Sequence, residues 1–135
     1  MKSMADRLRW LLKEYYPRMG IKNINCGILR GIGKTHCLRQ LIEEEGTKEN
    51  PIYIMVRTLG VAKTIYGDLI KKRICRPVTP NCLERLEGVW AEIYSDEVPE
   101  AEKLLLRFPH CKYLGGFYND WHATYIILQK KGNKK

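Results

Sequence analysis

Apolar positions near the start of the chain recur at helical spacing. Leu8, Leu11 and Leu12 fall within residues 4–14 with charges between them. Pro17 and Gly20 are expected to end that helix, making 1–20 an N-terminal helical segment. The pattern then changes. Ile24 to Ile28 is a short apolar run that reads as a strand, and a glycine-rich stretch follows it. Thr35 to Glu45 reads as a helix closed by Gly46. After a polar turn over 46–50, Pro51 opens the run Ile52 to Val56, apolar throughout as in a strand covered on both faces.

Residues 59–73 predict a helix with Val61, Ile65, Leu69 and Ile70 on its inner face. Pro77 and Pro80 mark 74–82 as loop, and 81–86 as a short helix. Val89 to Ser95 reads as a third strand running into Asp96-Glu97. Pro99 sits at a helix start and Glu100 to Phe108 follows as a helix. Lys112 to Tyr118 and Ala123 to Gln129 are the fourth and fifth strands. Strands alternating with helices predict one α/β domain over 1–135, with helix layers around a mostly parallel five-stranded sheet.

Composition narrows the class. The 135 residues are 44% hydrophobic and 29% charged, as in a soluble globular domain. No apolar run approaches the ~20 residues of a membrane-spanning helix. The N-terminus leads into an amphipathic stretch and not a signal core, so a cytoplasmic setting without membrane partners is expected. The net charge of +9 favours a polyanionic partner, nucleic acid first. The lysines of 130–135 read as a basic, flexible tail. Five cysteines without C-x-x-C spacing argue against a disulfide framework, and Cys26, Cys37, Cys75, Cys82 and Cys111 are expected as apolar thiols. Trp90, Trp121, Tyr113, Tyr118 and Tyr125 are expected in core or edge packing.

The candidate chemistry lies in Arg30-Gly31-Ile32-Gly33-Lys34-Thr35-His36. A G-x-G-K-T run between a strand and a helix can cradle a polyphosphate. Its backbone amides wrap the phosphates, its Lys reaches the β- and γ-phosphates, and its Thr hydroxyl holds Mg²⁺. The positive end of the helix dipole adds to the attraction. The run departs from the full G-x-x-x-x-G-K-[ST] pattern, which has Gly where this chain has Ile28. Arg30 is placed to meet a phosphate or a carboxylate, or to stay solvated.

Asp96 and Glu97 follow a strand whose carboxyl end should face that loop. Asp96 is then the candidate for the Mg²⁺ shell and Glu97 for the general base of a hydrolytic reaction. Asn119, just past the fourth strand, is placed either to sense the γ-phosphate and position water or to form a turn. Arg57 ends the second strand, where nucleic acid, a phosphate, Glu97 or solvent are all within its scope.

These residues resemble those of a known family. Arg30 to Thr35 is similar to the R-G-x-G-K-[ST] phosphate loop of phage terminase large subunits, the ATPases that package double-stranded DNA. Ile54 to Leu59, Lys63 to Leu69, and Leu86 to Val89 leading to Asp96-Glu97 resemble the segments that follow the loop there, the last being the Walker B region. Tyr118-Asn119-Asp120-Trp121 is loosely similar to the coupling motif. The resemblance implies a five-stranded P-loop ATPase core of the additional-strand, catalytic-glutamate type, with the Walker B strand near the loop strand. It also implies ATP and Mg²⁺ as cofactors, double-stranded DNA as partner, a homo-oligomeric ring, an arginine supplied by a neighbour, and the host cytoplasm as setting. The nuclease domain of the terminases has no counterpart within these residues. Two other readings of the same residues stay open: a non-catalytic nucleic-acid-binding protein with a degenerate nucleotide site, and a small nucleotide kinase, for whose arginine-rich lid Arg73 and Arg76 are the nearby candidates.

Overall fold

The computed structural model describes residues 3–27 and 31–120. Ile28, Leu29, Arg30, Trp121, His122, the expected strand 123–129 and the basic tail lie outside them. Five strands nevertheless form one all-parallel sheet. They are β1 (Asn23–Asn25), β2 (Ile52–Met55), β3 (Cys75–Val78), β4 (Ala91–Asp96) and β5 (Cys111–Tyr118), in spatial order β1-β5-β4-β2-β3. The four α-helices among the described residues are α1 (Met4–Trp10), α2 (Lys34–Glu45), α3 (Leu59–Lys71) and α4 (Ala101–Leu105).

Alternation along the strands builds two apolar layers. Ile52, Ile54 and Val56 join Tyr94, Phe117 and the inner faces of α1, α2 and α3 in one cluster. Tyr53 and Met55 join Ile93, Tyr113, Ala101 and Leu105 in the other. The sheet is thus covered on both faces, as parallel sheets require. The same alternation turns Asp96 towards the α2–α3 side, in step with Tyr94. In β5 a bulge breaks the register between Ile93–Tyr113 and Tyr94–Gly115. Gly115 takes φ 134° there, and a Cβ on it would lie 2.8 Å from Leu12 Cδ1 and from the Lys22 carbonyl. Beyond the bulge Phe117 pairs with Asp96, which brings the end of β5 level with the end of β4.

Several elements differ from the sequence reading. Residues 74–82 are not all loop, because Cys75–Val78 pairs with β2 as an edge strand. Pro77 is compatible with this position. The β2 amides of Ile52 and Val56 reach the carbonyls of Ile74 and Val78, so the residues of that parity face β2 and Pro77 faces away. Pro17 does not end the N-terminal helix. The chain passes from α1 through a π turn (Leu11–Tyr15) into a 3₁₀ turn (Tyr16–Met19) with Pro17 in its first positions, and ends on Gly20 at φ 74°. The expected helix over 81–86 is a 3₁₀ turn, Leu83–Leu86, and Glu100 to Phe108 is helical only over α4. On α3 the buried residues are Ala62, Tyr66 and Leu69, while Val61 is exposed. Trp90 is 83% exposed, ahead of β4 and against the His110 ring, and is not a core residue. Among the described residues no helix is long and apolar enough to cross a membrane.

Candidate nucleotide site

β1 is joined to α2 by the glycine loop. Gly33 is the residue before α2 and takes φ 91°, a left-handed conformation that favours glycine. Among the described residues no side chain caps the helix, and its first-turn amides are open to solvent or to a ligand. Lys34 and Thr35 occupy that first turn. Ile32 packs against the apolar cluster below, while His36 is exposed and does not line the cleft.

The loop meets the ends of β4 and β5. Thr35 Oγ1 donates to Asp96 Oδ2 at 3.0 Å. Lys34 Nζ donates to Glu97 Oε1 at 2.8 Å and also to Asn119 Oδ1. The other Glu97 oxygen accepts the Asn119 backbone N–H at 3.1 Å, and Asn119 Nδ2 donates to the Gly27 carbonyl at 3.0 Å. Asn119 thus links the turn after β1 to the acid after β4. It occupies that place because β5 lies between β1 and β4. The loop strand and the acid-bearing strand are therefore separated by one strand and are not direct neighbours.

The two acids sit in different environments. Asp96 is 5% exposed, and burial is the main force raising its pKa; hydrogen bonds from Tyr66 and Thr35 oppose it. Glu97 is exposed and holds φ 61°, a left-handed conformation uncommon for a residue with a long side chain. Its N–H is bonded to the Phe117 carbonyl at 2.9 Å. Backbone outliers of this kind cost roughly 1–3 kcal/mol and gather at functional sites.

A cleft of about 290 Å³ opens over Gly31, Lys34, Thr35, Asp96 and Glu97, with Arg57, Val61 and Ile65 completing its wall. Arg57 is ion-paired to Glu100 at 2.6 Å and not to Glu97. Hollows of about 370, 420 and 390 Å³ lie around Trp90 and His110, at the opposite ends of the strands. None of them joins a lysine and a hydroxyl at a helix start to an acid pair.

Thr35 and Asp96 supply hydroxyl and carboxylate oxygens, the hard donors that Mg²⁺ takes. Among the described residues no three His, Cys, Asp or Glu side chains gather into a metal cage. Mg²⁺ held with phosphates and water needs only one or two carboxylates, so the donor set fits it. Sequence reasoning passed over Tyr66, whose hydroxyl donates to Asp96 Oδ2 at 2.6 Å. The spacing Ala62, Tyr66, Leu69 (i, i+4, i+7) was the signal that would have found it. Arg30 lies outside the described residues. No protein-family model, curated protein or solved structure matches the chain.

Proposed function

We propose that the chain binds a nucleoside triphosphate with Mg²⁺ in this cleft and hydrolyses it in work on nucleic acid, as a terminase-like DNA-packaging ATPase would. The observation that carries the reading is the convergence of Lys34, Thr35, Asp96, Glu97 and Asn119 from the ends of two parallel strands, β4 and β5, and the start of one helix, α2. One strand standing between the loop strand and the acid strand agrees with an ATPase of the additional-strand type. The net charge of +9 agrees with a polyanionic partner.

In this reading the amides of the α2 start and the Lys34 ammonium hold the phosphates. A polyphosphate competes with Glu97 for Lys34. As Lys34 turns to the phosphate, one carboxylate oxygen of Glu97 is released. Glu97 then takes the proton of the attacking water, whose oxygen bonds the γ-phosphorus as the diphosphate leaves. Asn119 steadies Glu97 through its backbone N–H. Mg²⁺ held by Thr35 and Asp96 would neutralise charge on the phosphate oxygens.

The test is the rate of ATP hydrolysis with and without double-stranded DNA. Stimulated turnover is the expected result. Turnover that needs a small phosphate acceptor would instead favour a kinase, and DNA binding without turnover would favour a degenerate site.

A further inference from the structure

Tyr66 stands on the inner face of α3, fully buried, with its hydroxyl on Asp96 Oδ2 at 2.6 Å. The Thr35 hydroxyl reaches the same oxygen at 3.0 Å. Two donors on Oδ2 fix the rotation of the carboxylate and leave Oδ1 for a further ligand. The Thr35 oxygen, whose O–H donates to Asp96, keeps its lone pairs for the same ligand. The position of Tyr66 is itself held. Arg39 of α2 forks onto Asp68 of α3 at 2.8 and 2.6 Å and donates to the Ile65 carbonyl at 2.6 Å. The helix that carries Lys34 and Thr35 is thereby clamped to the helix that carries Tyr66.

We infer that Tyr66 is a positioning residue for the metal-binding acid: it sets Asp96 so that one carboxylate oxygen and the Thr35 hydroxyl serve one hard divalent cation. The inference rests on the nucleotide reading above and adds to it a residue of α3. A partner that orients a metal-binding side chain typically contributes about 10–100-fold in metal affinity. A buried phenol with a satisfied hydroxyl and no other role predicts no such dependence.

The experiment follows binding of a fluorescent ATP analogue as Mg²⁺ is raised from excess EDTA. Wild type, Tyr66→Phe and Tyr113→Phe are compared, with folding checked by circular dichroism. Tyr113 is the control: it is also buried, and its hydroxyl contacts Ser95 Oγ at 2.6 Å and not Asp96. Tyr66→Phe is expected to need about tenfold more Mg²⁺ for half-maximal tightening. Its affinity in EDTA, and the Mg²⁺ requirement of Tyr113→Phe, should match wild type. Arg39→Ala, which loosens α3 from the surface, should shift the requirement in the same direction. An unshifted requirement in Tyr66→Phe, or in Arg39→Ala should the first variant fail to fold, overturns the inference and leaves the nucleotide site standing. An equal shift in Tyr66→Phe and Tyr113→Phe also overturns it. A wild type that binds no nucleotide at any Mg²⁺ concentration removes the nucleotide reading, and the inference with it.

Discussion

Thr35 and Asp96 are separated by 61 positions in the chain, and their side-chain oxygens lie 3.0 Å apart. One residue starts a helix and the other ends a strand on which that helix packs. The parallel sheet makes the meeting possible, because it delivers the carboxyl ends of β1, β4 and β5 to one edge.

Removing the Asp96 charge should separate stability from binding. Burial raises the Asp96 pKa, so the folded state holds its proton to higher pH than the unfolded state does. Stability that is full below the ordinary value of 3.8 is therefore lost as pH rises from there through the raised folded value. Asp96→Asn carries no such titration. Its melting temperature, measured in EDTA, should improve relative to wild type between pH 3.8 and pH 7, while Mg²⁺-dependent nucleotide binding disappears. A relative melting temperature that falls over that window would contradict the environment described for Asp96.

Glu97→Gln keeps the side-chain length and leaves an oxygen for Lys34, but has no carboxylate to take a proton. Hydrolysis should fall by roughly 10²–10⁴-fold with nucleotide affinity within a few-fold of wild type. Steady-state turnover and equilibrium binding measured on the same preparation check this. Undiminished turnover would remove Glu97 from the role of base.

The Arg39–Asp68 pair predicts an acid limb in stability. The guanidinium holds the Asp68 carboxyl well below its ordinary value of 3.8. The stabilisation is therefore present above about pH 3.8 and is lost as pH falls further below it. The melting-temperature difference between wild type and Arg39→Ala should be widest near neutrality and narrow on acidification. A gap that widens below pH 3.8 would rule out the pair as its source.

Cys37 and Cys75 should resist alkylation in the folded protein. Burial pushes their thiols up to about 11 and about 12, so almost no thiolate is present at pH 8. Mass mapping after iodoacetamide treatment at pH 8 should find both unlabelled until denaturant is added. Fast labelling of either in the native protein would contradict the packing around α2 and β3.

Much of the α/β order was legible in the sequence, and the reasons for success and failure are physical. A strand, a glycine loop and a helix follow one another locally, so Lys34 and Thr35 were readable in place. Asp96 and Glu97 were readable because parallel strands end at a shared edge. The order of the strands was not, since no local pattern says that β5 enters between β1 and β4. Pro77 looked like a loop marker because local sequence does not report which way an imide nitrogen will face. Trp90 reads as core or edge packing because it is aromatic and falls in the run Val89 to Ser95, yet the strand begins only at Ala91. Tyr66 was passed over because the acid that its hydroxyl meets lies 30 positions away. The left-handed backbone of Glu97 occurs where its N–H bonds to β5, a tertiary contact that no local pattern reports.

The outward-facing nitrogen of Pro77 has a consequence for assembly. β3 is the margin of the sheet among the described residues, and Pro77 lies within it. A second chain laid along that margin would find no donor at Pro77, and one of its own carbonyls would go unmet. Continuous sheets running from copy to copy are disfavoured on that side.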